Sequence, residues 1–176
     1  MVHLTPVMAP LAAVAQLLVG VAILLLIAAS LYDIAARIIP DEICIALAVL
    51  GFLLRLSDGR LLYALIAAAT VFIVLMFCCM RGWIGGGDVK LLSASVLLLQ
   101  PSLVPSVIFY VGMAGGVLAV IYLALSRILP KPGPRPTGRL ARMCRAELFR
   151  IRRRSPLPYG VGIAAGCIIV LMRSMP

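Results

Sequence analysis

Two aspartates in this chain stand where a carboxylate has little structural excuse. Asp33 follows a long apolar run, and Asp88 follows three consecutive glycines in Arg81-Gly82-Trp83-Ile84-Gly85-Gly86-Gly87-Asp88-Val89-Lys90-Leu91, a short polar break between two apolar runs. An acid within a spanning segment costs about 2.5 to 3.5 kcal/mol on insertion scales, so it faces a bundle interior or a cavity and is a functional candidate by default. Gly85, Gly86 and Gly87 strip the Cβ atoms from one patch of backbone, which permits close approach and positive φ. Two carboxylates brought together can hydrolyse a peptide bond. The ionised one activates water while the protonated one donates to the carbonyl oxygen and later to the amine. Proximity supplies the asymmetry, because like charges about 3 Å apart cannot both ionise easily, and the shared proton belongs to the pair.

The elements that must hold such a pair are membrane helices. The chain is 64% hydrophobic and 12% charged, against roughly 45–50% and about 25% in soluble domains. Its mean hydropathy is +1.16. At about 20 apolar residues per span, 176 residues hold about six spans and no separate soluble domain. The expected fold is all-α, a single polytopic domain over residues 1–176 built as a bundle of six transmembrane helices. The first ten residues contain no Lys or Arg, a poor start for a cleaved signal peptide, so the run from Leu11 to Tyr32 stays as the first span. Further apolar runs cover Ile43 to Leu54, Leu61 to Met80, Leu91 to Leu99, Ser106 to Leu125 and a last one after Gly160 to Met172. The fourth is short, which places Asp88 and Lys90 on its first turn in the headgroup zone.

The net charge of +10 is read by loop, and nucleic acid is discounted as a partner. Loops on one face hold Arg37, then Arg81 and Lys90, then ten cations between Arg127 and Arg154, thirteen in all; the other face holds Arg55, Arg60 and Arg173. The positive-inside rule makes the first face cytoplasmic, which puts Asp33 and Asp88 at one depth on that side. The long loop at about 126–156 opens on Lys131-Pro132-Gly133-Pro134-Arg135-Pro136, which is not helical. Beyond it, Leu140, Met143, Cys144, Leu148 and Ile151 recur at helical spacing, so an interfacial helix on anionic lipid is weighed equally with a solvated basic loop. The five cysteines form no C-x-x-C pair, and His3 is the one histidine. No metal site is expected, and the thiols read as small packing residues.

Each candidate also has a plainer reading. Asp88 could N-cap the fourth helix. Asp33 could pair with Arg37 one turn on, worth under about 1 kcal/mol at a surface, although a carboxylate in a helix's last turn opposes the dipole. Asp41 and Glu42 after Pro40 read as start signals for the second helix, Lys90 as a snorkelling lysine, and Trp83 and Tyr159 as interfacial aromatics.

Taken together, Asp33-Ile34-Ala35-Ala36-Arg37-Ile38-Ile39-Pro40-Asp41, Gly85-Gly86-Gly87-Asp88-Val89-Lys90-Leu91 and Leu157-Pro158-Tyr159-Gly160 resemble three signatures of the type IV prepilin peptidases, in their usual order. Where that family commonly has Asn after Ile-Pro, this chain has Asp41. The resemblance implies an aspartyl endopeptidase of the bacterial inner membrane, with Asp33 and Asp88 as the catalytic pair. Gly85, Gly87, Lys90, Arg37, Pro158, Tyr159 and Gly160 would then bind substrate or shape the site, without cofactor or metal. Its implied partner is a pilin-like precursor, cut on the cytoplasmic side to release a short basic leader. Larger members carry an insertion with paired C-x-x-C motifs and an N-methylation activity; nothing here matches it, so the small size resembles the short branch that serves Flp, or tight-adherence, pili. Two rivals stand beside this reading. A non-catalytic assembly scaffold would keep the fold without needing the acids, and a proton-coupled transporter would need ionisable groups nearer the bilayer middle, where none is evident.

Overall fold

A computed structural model describes residues 5–128, 138, 145, 147–151 and 157–174. Among the described residues there is no strand, and the principal helices are α1 (Thr5–Ala36), α2 (Asp41–Ser57), α3 (Leu61–Met80), α4 (Gly86–Leu97), α5 (Val104–Ile128) and α6 (Tyr159–Ser174). A 3-10 turn, Pro101–Leu103, leads into α5. The six apolar runs are thus six helices. Three are long and apolar enough to cross a membrane, namely Ala13–Ala36, Leu61–Met80 and Pro101–Ile128. The others, at 17, 12 and 16 residues, are shorter than the about 20 that a span needs.

The shortness of α4 has a packing reason. Val89 and Leu91 to Val96 are all buried, because α4 lies between α2, α3 and α6. It is a central strut, and beyond Lys90 its only polar side chains are the small Ser93 and Ser95, both buried. Leu47 of α2, Leu26 of α1 and Leu171 of α6 join Leu91 and Leu98 in one core. The apolar surface of α3 and α5 points outward instead, with Leu62, Ile73, Phe109 and Val120 exposed. Such faces suit lipid rather than water.

Close packing of α5 on α6 sets the last helix in place. A Cβ at Gly166 would stand 2.5–2.7 Å from Val111, a distance no side chain tolerates. Small residues at such crossings let two backbones meet.

Helix ends are also explained locally. Gly82 takes φ +74 after α3, and the Gly82 and Trp83 amides donate to Cys79 O at 2.9 Å and Cys78 O at 3.0 Å, the paired bonds of a Schellman stop. The expectation that the triple glycine supplies positive φ is therefore corrected. Gly85 has φ −73, and the left-handed residue of this break is Gly82. At α1 the helix runs four residues past Tyr32, so Asp33 falls inside its last turn. Residues 38 and 39 then lead to Pro40, extended at φ −61 and ψ 135, since the residue before a proline is driven out of the helical region. Asp41 and Glu42 occupy the first turn of α2, where negative charge suits the dipole.

The proposed interfacial helix lies partly outside the described residues: Leu140, Met143 and Cys144 are not among them. Leu148 and Ile151 fall on a helical turn at 147–151. Ile151 is buried against the protein.

Candidate active site

Asp33 is 6% exposed, on the side of α1 that meets α6. Its Oδ2 accepts the Gly160 N–H at 2.8 Å. That amide belongs to the first turn of α6, whose donors have no helical carbonyl to serve, so a carboxylate 127 residues away in sequence does so at the positive end of the dipole. Only glycine fits there: a Cβ at residue 160 would stand 2.9–3.1 Å from Asp33 side-chain atoms. Pro158 is fully buried and Tyr159 half-exposed, its ring against Gly115 of α5. These two residues hold the start of α6 and thereby aim Gly160.

Asp88 is the third residue of α4, and Gly85, not Asp88, is the N-cap. Its Oδ2 folds back over Gly85, 3.1 Å from where a Cβ would be. Asp33 and Asp88 line one cleft of about 300 Å³, with Gly85, Gly86 and Gly87 as one wall and Arg37, Ile39, Asp41 and Lys90 around the rest. Each carboxylate lies within range of the other's charge. A cleft of this size holds several waters, each needing about 30 Å³ of liquid volume, or a length of peptide backbone. Nothing lies within 4 Å of a Cβ built on Gly86, whereas one on Gly87 would meet Ile39 at 3.4–3.6 Å and one on Gly85 the Asp88 carboxylate, so the open part of the wall is at Gly86.

Lys90 and Asp41 meet at the rim. The Lys90 Nζ donates to both Asp41 oxygens at 2.8 and 2.9 Å, and both side chains are exposed. The sequence assigns these residues to snorkelling and to helix initiation; the fold joins them across α2 and α4.

Arg37 is likewise reassigned. Its partner is Glu147, with Arg37 Nη2 donating to Oε1 at 2.6 Å, and not Asp33 one turn back. It also holds φ +58, a left-handed conformation that costs a residue with a Cβ about 1–2 kcal/mol. Glu147 accepts two more bonds, from Tyr122 Oη at 2.6 Å and Arg150 Nη1 at 3.2 Å. Arg150 in turn donates to Ile34 O at 2.8 Å and Ala35 O at 3.3 Å, among the last α1 carbonyls, which lack helical donors. Sequence reasoning passes over Glu147, Arg150 and Tyr122. One signal was present: Glu147 is the sole acid within residues 126–156.

Among the described residues no three His, Cys, Asp or Glu side chains are grouped to hold a metal ion. The described cysteines, Cys44, Cys78, Cys79 and Cys167, are free thiols.

Residues 20–120 match the model of the type IV leader peptidase family, a stretch that includes Asp33, the glycine run and Asp88. The chain belongs to the type IV leader peptidase family. It is therefore a protease of leader-peptidase type, embedded in the membrane through its long apolar helices. The matched stretch ends before α6, yet α6 supplies the amide that holds Asp33. No curated protein and no solved structure matched the chain.

Proposed function

We propose that this leader peptidase is an aspartyl endopeptidase in which Asp33 and Asp88 act as one acid–base pair. The observation that carries the reading is the shared cleft: two acids 55 positions apart in the chain (88 − 33) face one space walled by bare glycine backbone. With one proton on the pair, the ionised carboxylate takes a proton from water as the oxygen attacks the scissile carbonyl carbon, and the protonated partner donates to the carbonyl oxygen. Collapse of the tetrahedral species breaks the C–N bond, and a proton passes to the leaving amine. The Gly160 N–H occupies Asp33 Oδ2 as an acceptor, which leaves Oδ1 to carry a proton. A peptide backbone can approach the wall at Gly86, where nothing lies within 4 Å of the Cβ position.

The charge distribution supports a cytoplasmic site, with six helices threaded through the membrane and the basic loop inside, where anionic lipid would attract it. The resemblance of the three motifs supports a pilin-like precursor as substrate, with the Flp type as the candidate to test. Without paired C-x-x-C motifs, N-methylation is not part of the activity. Membranes carrying the chain, incubated with candidate Flp-type precursors, should release a leader whose mass gives the cut site. An intact precursor with every candidate would remove the substrate assignment, and a product insensitive to Asp88→Asn would remove the dyad.

A further inference from the structure

Arg37 stands where helices ordinarily place glycine. Left-handed residues at helix ends are mostly Gly because other side chains crowd the backbone there, and Gly82 fills that role after α3. After α1 the residue is Arg37, at φ +58. Its amide still donates to Asp33 O at 2.9 Å, so the backbone keeps helical spacing up to this residue. Four residues on from Asp33, an arginine continuing the helix would lie over the Asp33 side chain and pair with it. The left-handed turn carries the side chain off that track, and Glu147 receives the guanidinium at 2.6 Å.

We infer that Glu147 is a positioning residue of the candidate active site: it holds Arg37 away from Asp33, so that the buried acid faces Asp88 and the cleft without a cation bound to it. The inference rests on the reading of Asp33 and Asp88 as the acid–base pair. Glu147 is itself fixed from three directions, by Tyr122 of α5, by Arg150 of its own turn and by Arg37. Arg150 fastens that turn to the α1 carbonyls beside Asp33. The charged groups acting on Asp33 are Arg37, Glu147 and Arg150 with Asp88 across the cleft, and the Asp41–Lys90 pair closes the rim. Of the cations, Arg37 alone is on the same helix end and within one turn of Asp33. An Asp33–Arg37 ion pair would hold Asp33 ionised and deny its Oδ1 the proton that the pair must share and donate.

The test is a double-mutant cycle read as precursor cleavage in membranes. Glu147→Gln should lower kcat at least about tenfold with KM little changed, because it misplaces a reacting group rather than a binding one. In an Arg37→Ala background the same change should alter kcat less than about twofold, since no guanidinium remains to fall on Asp33. Should Glu147→Gln not accumulate, Tyr122→Phe loosens the same carboxylate and should show a smaller loss, again absent with Arg37→Ala. An equal loss in both backgrounds, a loss confined to KM, or no loss at all overturns the inference. Failure of the dyad reading is distinct: it appears as Asp33→Asn cleaving like the parent.

Discussion

The bundle carries a buried charge at each end, and the two are handled in opposite ways. At the end away from the dyad, Arg55 is 8% exposed and pairs with Asp58 one turn on, at 2.8 Å. Arg55, Asp58 and Gln100 line a cavity of about 270 Å³ there, and Arg60 donates to Gln100 at 3.1 Å. At the other end a cleft of nearly equal size, about 300 Å³, holds Asp33 and Asp88. Yet Asp33 is met by a neutral amide, while Arg37, four residues on, pairs with Glu147. A buried charge neutralised by its neighbour is a structural device; one kept from its natural counter-ion beside a second acid is free to exchange protons. Volume does not distinguish the two ends, but the partners of their charges do.

The sharpest way to break that contrast is to remove the acids. Asp33→Asn and Asp88→Asn should each lower cleavage by at least about a thousandfold with unchanged membrane levels, and the double variant should resemble either single one, because groups acting as a unit lose activity non-additively. Leader cleavage near the parental rate in Asp88→Asn would leave a non-catalytic scaffold as the better account. Next in size comes Gly160→Ala. Its methyl would press on the Asp33 side chain from 2.9–3.1 Å, so either α6 or the carboxylate must move. A displacement near 1 Å can cost about a hundredfold, and a loss of ten- to a hundredfold is expected. Gly116→Ala on α5, with nothing within 4 Å, is the control and should cleave as the parent does.

The opposite end sharpens the comparison through stability. Asp58→Asn leaves Arg55 without its ion-pair partner, but Asp58 is 41% exposed, and water can replace it. Thermal unfolding in detergent should show a loss of about 1 kcal/mol or less, with cleavage within about twofold of the parent, since changes at distant sites act independently. A large fall in cleavage would mean that the two ends are coupled and that the contrast between them is wrong.

How far the sequence was legible follows the same division. Helix positions, both acids, the glycine run and the Pro-Tyr-Gly segment could be read because apolar periodicity and local motifs are written over a few consecutive residues. Asp88 was rightly read onto the first turn of α4, while the alternative that it caps the helix fell to Gly85, since glycine and aspartate both serve as caps and only the backbone decides between them. The partners of Arg37 and Lys90 were not legible. Each lies far along the chain, 110 and 49 residues away, and local spacing offered Arg37 a nearer acid in Asp33. What sequence proximity made the default was the contact the fold avoids. The shortness of the fourth run was legible, but not its reason: enclosure by other helices, rather than lipid thickness, sets the length of α4.

The smallest effect is expected at the rim. Asp41 stands where the family commonly has Asn, and its carboxylate accepts two bonds from Lys90. Both side chains are more than half exposed, so water and salt screen the pair. Asp41→Asn keeps an oxygen acceptor for Lys90 and the size of the side chain. It also leaves Glu42 to complement the dipole of α2. Cleavage should therefore stay within about threefold of the parent, the range of a lost solvent-exposed charge near a site. The pair also bridges α2 to α4 at the mouth of the cleft, and raising salt should mimic the substitution, with the parent moving towards Asp41→Asn and the variant barely responding. A tenfold loss in Asp41→Asn at low salt would instead place Asp41 beside Asp33 and Asp88 as a third working acid. The charge contrast between rim and floor of the cleft would then have to be redrawn.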